Sequence, residues 1–166
     1  MVLLSIKNFS FSDIQEKSST LNIYEYKSLD FIIDSRFNRF TYLIEKNNTK
    51  LSSLEFIGIE VLNEHKLLEI CKYCPRLEGL YIHQCNINYY VKDFEKMANY
   101  CPYLQKLHIG KNSTASYIND FILKTILIRF KKLNELTLSF SSITDASCNV
   151  WKYAKNGIEI ISITTI

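Results

Sequence analysis

The sequence predicts an α/β fold: a right-handed solenoid with a parallel sheet on its concave face and helices on its convex face. Three observations predict it. A short apolar motif recurs at a near-constant interval. An amphipathic stretch lies between successive motifs. The chain has 166 residues, of which 47% are hydrophobic and 22% charged, enough to build one core without a disordered tail. Only four glycines and two prolines argue against a turn-dense sandwich.

The motif begins at Leu51, Leu77, Leu104, Leu133 and Ile158, at steps of 26, 27, 29 and 25 residues. Leu51-Ser52-Ser53-Leu54-Glu55-Phe56 opens the series. Cys74-Pro75-Arg76-Leu77-Glu78-Gly79-Leu80-Tyr81-Ile82 then aligns with Cys101-Pro102-Tyr103-Leu104-Gln105-Lys106-Leu107-His108-Ile109. Leu133-Asn134-Glu135-Leu136-Thr137-Leu138 and Ile158-Glu159-Ile160-Ile161-Ser162-Ile163 keep the frame. Alternation of apolar and polar residues marks each as a strand with one buried face. Three residues after the last apolar strand position stand Cys85, Asn112 and Ser141, where the chain turns and needs a side chain to satisfy or tolerate unpaired backbone groups.

Between the strands, residues 63–73, 92–100, 119–130 and 145–154 carry apolar positions at helical spacing: Leu67, Leu68 and Cys71; Phe94, Met97 and Ala98; Ile122, Ile126 and Phe130; Val150 and Ala154. Asn119, Asp120, Thr144 and Asp145 are suited to helix N-caps. Cys74 and Cys101 precede prolines, which push them out of helical angles and end the helices. Each unit is strand, turn, helix and return. A single unit cannot bury its apolar face, but stacked neighbours can. Residues 51–166 are therefore read as one continuous repeat domain. Residues 1–50 are a degenerate repeat region, with a strand expected at 20–23 and a helix at 29–46.

The frame Cys-Pro-x-Leu at 74–77 and 101–104, with Leu80-x-Ile82-x-x-Cys85, Leu107-x-Ile109-x-x-Asn112 and Ile143-Thr144-Asp145, resembles the cysteine-containing leucine-rich repeats of F-box and AMN1-like proteins. The period agrees with the about 20–29 residues of such repeats. The resemblance implies a substrate-selecting component of an SCF-type ubiquitin ligase system, with protein substrates as partners. A Skp-type linker and a cullin would join through a missing or separate F-box. The Leu-Pro and Glu-Ile-Leu-like run that usually opens an F-box has no counterpart here, and residues 29–46 fit a repeat helix better.

The outward strand positions are the third, fifth and seventh of each motif. They are Ser53, Glu55 and Ile57; Gly79, Tyr81 and His83; Lys106, His108 and Gly110; Glu135, Thr137 and Ser139; and Ile160, Ser162 and Thr164. The expected partner-binding residues are Glu55, Ile57, Tyr81, His83, Lys106, His108, Glu135, Thr137 and Ser139. Tyr81, His83 and His108 lie near the middle, and aromatic residues concentrate binding energy at interfaces. The competing reading is a solvated face without a ligand.

Other chemistries are weighed against plainer readings. Cys71-x-x-Cys74 with His83-x-Cys85 has the residue types of a tetrahedral zinc site. Yet Cys74 recurs in phase at Cys101, Cys85 fills the repeat's turn position, and His83 alternates outward. No cofactor is expected. With the cysteines buried, the strand histidines outward and no phosphate loop, metalloprotease helix or nucleophile elbow, the protein is expected not to be an enzyme. Arg129, Lys131 and Lys132 with Lys124, Lys106 and Lys111 form a small basic cluster. Nucleic-acid binding is kept as the alternative to protein recognition, beside a non-functional truncated repeat remnant. The net charge of +3 is too small to favour nucleic acid. The start lacks a basic, apolar leader, and no apolar run approaches the about 20 residues that span a bilayer, so a cytoplasmic or nuclear place and no membrane partner are expected. The nearly continuous apolar segment 158–166 predicts an edge strand and self-association through it.

Overall fold

The computed structural model describes residues 2–5, 20–24, 51–59, 62–85, 87–110, 118–141, 143, 151–153 and 159–165. They form an α/β protein on a parallel sheet. The strands are β1 (Val2–Ser5), β2 (Thr20–Tyr24), β3 (Ser53–Ile57), β4 (Gly79–His83), β5 (Lys106–Ile109), β6 (Glu135–Ser141) and β7 (Glu159–Thr165). They lie side by side in chain order, each parallel to the next. The strand expected at 20–23 is β2. Strand β1 carries no repeat motif and extends the sheet beyond it.

Helices α1 (Glu64–Tyr73), α2 (Val91–Tyr100) and α3 (Asp120–Arg129) each connect two successive strands from β3 to β6. A parallel pair requires such a crossover. The apolar stripes become the packed faces: Leu67, Leu68, Ile70 and Cys71 are buried in α1, Phe94, Met97 and Ala98 in α2, and Ile122, Leu123, Ile126 and Leu127 in α3. They share one core with Leu54, Phe56, Leu80, Ile82, Leu107, Ile109, Leu136 and Leu138, the alternate residues of the four strands. The helices therefore cover one face of β3 to β6, and among the described residues no element covers the other, the open face.

The helix ends follow local chemistry. Asn63 and Asn119 accept the amides of Lys66 and Ile122 on their side-chain oxygens, at 3.0 and 3.1 Å. Tyr90 has no such oxygen in reach. Its amide instead donates to buried Asp93 at 3.1 Å, while the Asp93 amide donates to the Tyr90 carbonyl. At the other ends, Cys74 and Cys101 leave the helix ahead of Pro75 and Pro102. The Cys101 thiol faces the carbonyls of Cys71 and Cys74 at 3.4 and 3.6 Å, tying the end of α1 to the end of α2. Cys85 performs the expected turn role: its thiol faces the carbonyls of His83, at 3.4 Å, and Phe56, at 3.8 Å.

Within 145–154, the described part of the expected fourth helix is a short 3-10 turn, Trp151–Tyr153; the rest of that segment lies outside the described residues. So do the expected helix at 29–46, Lys111, Asn112 and the cap candidates Thr144 and Asp145. The pairing of β6 with β7 is not even. The register shifts between Leu136 and Thr137, so Ile160 pairs with the core residue Leu136, and Glu159 stands opposite Glu135. A single extra residue in one strand changes the pairing of everything beyond it. Beyond the shift, Ser162 and Thr164 pair with the outward residues Thr137 and Ser139.

Candidate functional site

The open face is built from alternate residues of β3 to β6, because successive side chains of a strand point to opposite faces. The register aligns them in rows across the sheet. Ser53, Gly79, Lys106 and Glu135 form one row, and Glu55, Tyr81, His108 and Thr137 the next. Ile57 pairs with His83 in a third, and Gly110 and Ser139 occupy the matching positions on the following strands. All nine expected binding residues lie on this face. Lys106 is exposed, and Glu55, Ile57, Tyr81, His83, His108, Glu135, Thr137 and Ser139 are half-buried.

Two glycines make the floor on which the rings lie. A methyl group on Gly79 would come within 3.0 Å of both Ser53 Oγ and the Tyr81 ring. One on Gly110 would come within 2.3 Å of His83 Nδ1. Both glycines are buried although they face outward, because Tyr81 and His83 fold over them. Tyr81 also packs against His108, with ring centroids 4.6 Å apart and planes tilted by 58°.

Glu135 organises the next two strands. One carboxylate oxygen accepts from Lys106 Nζ at 2.6 Å, and the other lies 2.6 Å from His108 Nε2. The Lys106 hydrogen bond leads in holding the Glu135 carboxyl below the usual glutamate range, and His108 adds to it. Burial pulls His83 below the ordinary histidine value; the Glu55 carboxylate opposes that shift. Burial also raises the Tyr81 phenol, with Lys106 opposing and Glu135 and Glu55 reinforcing the rise. The Thr137 hydroxyl oxygen is buried and has no hydrogen-bond partner among the described residues.

The four described cysteines lie on the other side of the sheet. Burial pushes the Cys74 thiol up to about 12, and the Cys101 thiol, with burial second, also raises Cys71. The four described cysteines are free thiols in the core, whereas the His83 ring lies over Gly110 on the open face. The residues considered for zinc are therefore not brought together. Among the described residues no cluster of three metal-ligating side chains occurs, and no helix is long and apolar enough to cross a membrane.

The basic cluster is divided among separate contacts. Arg129 pairs with Glu95 at 2.8 Å, Lys132 lies 3.9 Å over the Tyr103 ring, Lys124 lies 5.3 Å over Tyr153, and Lys106 belongs to the open face. Of the adjacent tyrosines, Tyr89 is buried against Phe94, with centroids 5.5 Å apart, and Tyr90 is exposed. The linkage of Lys106 and His108 through Glu135 was not anticipated. Its signal lies in the repeat frame: Lys106 and Glu135 occupy the same motif position, which a parallel register sets side by side. Comparison with family models, curated proteins and solved structures finds no match for this chain.

Proposed function

We propose that the chain is a recognition module that binds a protein through the open face of its sheet. It acts by binding and not by catalysis. Parallel strands in chain order, each returning through a helix at intervals near the leucine-rich period, support reading the architecture as a leucine-rich-repeat solenoid. The resemblance of its Cys-Pro-x-Leu frame to F-box and AMN1-like repeats supports a substrate-selecting role in an SCF-type ubiquitin ligase system. A Skp-type linker and cullin would attach through a separate F-box.

The observation that carries the reading is the ordered cluster at the centre of the open face. Tyr81 lies over Gly79 and against His108, and His108 and Lys106 are both held by Glu135. Side chains fixed before binding lose less entropy when a partner arrives. The test is affinity purification of the tagged chain from its own cells, beside a Tyr81→Ala/His83→Ala/His108→Ala variant of unchanged circular dichroism. The expected result is a client protein lost in the variant, with linker and cullin retained in both. Identical protein sets from both would overturn the reading.

A further inference from the structure

We propose that the open face takes a cationic side chain of its partner, an arginine before a lysine, between the Glu55 carboxylate and the Tyr81 ring. The inference rests on reading that face as a recognition surface and names the chemistry it selects.

Charge accounting on the face leads there. Its described charged residues are Glu55, Lys106 and Glu135. Lys106 and Glu135 neutralise one another at 2.6 Å, and His108 occupies the second oxygen of Glu135. Glu55 remains. It is half-buried, and among the described residues its carboxylate has neither an ion pair nor a hydrogen bond. Of its described ring neighbours, His83 and Tyr81, neither carries a positive charge, and Lys106, whose field reaches Tyr81, is held by Glu135. His83 is pulled below its ordinary value by burial and is neutral at pH 7, and Tyr81 stays protonated. The field of Glu55 nevertheless reaches both rings, raising the affinity of each for a proton. A carboxylate that favours added positive charge at both neighbours favours it equally from a ligand.

The second half of the subsite is aromatic. Tyr81 stands beside Glu55 in register on the adjacent strand, and strands lie only about 4.8 Å apart. The ring is held between the Gly79 floor and His108, so its position is set before binding. Its hydroxyl makes no hydrogen bond among the described residues. A guanidinium can stack on such a ring while donating its planar fork to a carboxylate, and an ammonium can do so with less directional fit. An anionic partner would meet Glu55 uncompensated.

The test is selection of displayed random dodecapeptides on the immobilised full chain, followed by affinity measurement on the selected peptides. Selected peptides are expected to share an arginine or lysine. Glu55→Gln should weaken them by about tenfold or more, the scale of one charge-assisted hydrogen bond. Citrulline in place of the peptide arginine should produce the same loss on the unaltered protein, without adding to that of Glu55→Gln. Peptides lost in the triple face variant but indifferent to Glu55→Gln and to citrulline would overturn the cation subsite and leave the recognition surface standing. Peptides unaffected by the triple variant, or none selected at all, would overturn both.

Discussion

At the scale of single residues, the open face is held by one carboxylate. Glu135 joins two strands because Lys106 and His108 reach its two oxygens from β5. Its folded-state titration lies below the ordinary value, so the unfolded chain takes up its proton first as pH falls. The stability it contributes is complete above the ordinary carboxylate range and is lost as pH falls through the folded value. Glu135→Gln should therefore lower the melting temperature at pH 7 and narrow its difference from the parent in acid. A gap that persists undiminished into acid would show that the ion pair is not the source. Lys106 and Glu135 share a motif position, which the parallel register sets side by side. The diagonal partnership of His108 with Glu135, and the ring of His83 lying on Gly110, depend on rotamers that no spacing specifies.

At the scale of elements, the apolar period located the helices within a residue at their starts because each stripe meets the sheet on a fixed face. Observed starts at Glu64, Val91 and Asp120 follow caps at Asn63, Tyr90 and Asn119. Asn119 is legible as a cap, since its short amide reaches the Ile122 amide. The α2 start is not, because a tyrosine precedes it and Asp93 reaches back to serve it. Asn119→Ala should cost about 1 kcal/mol in denaturant unfolding, the usual loss for a side-chain cap. A cost near zero would assign that end to packing alone. The cysteines were read as small buried hydrophobes; burial raises the Cys74 thiol, and at Cys71 the Cys101 hydrogen bond leads with burial second. What the period did not convey is that Cys101 bonds across to α1, a contact between successive units.

At the scale of the whole molecule, β7 is the last strand in the described order, and pairs on one side with β6. An edge that no described strand covers is a template for another chain. Light scattering should show mass rising with concentration, and Ser162→Lys, in register with Thr137, should return it to the monomer. A monodisperse monomer at high concentration would overturn self-association through this edge. By itself the sequence determined the α/β class, the strand phase from β3 to β6 and the three helices between them. Those follow from hydrophobic periodicity and interval, which are local properties of a chain that must bury its apolar stripes. Only the tertiary structure decided the register shift at β7, the strand at Val2–Ser5 and the division of charges in which Lys106 and Glu135 close on each other and Glu55 has no ion pair among the described residues. The reason is physical: pairing among side chains some 27 residues or more apart depends on rotamer, distance and burial, which exist only once neighbouring units have packed.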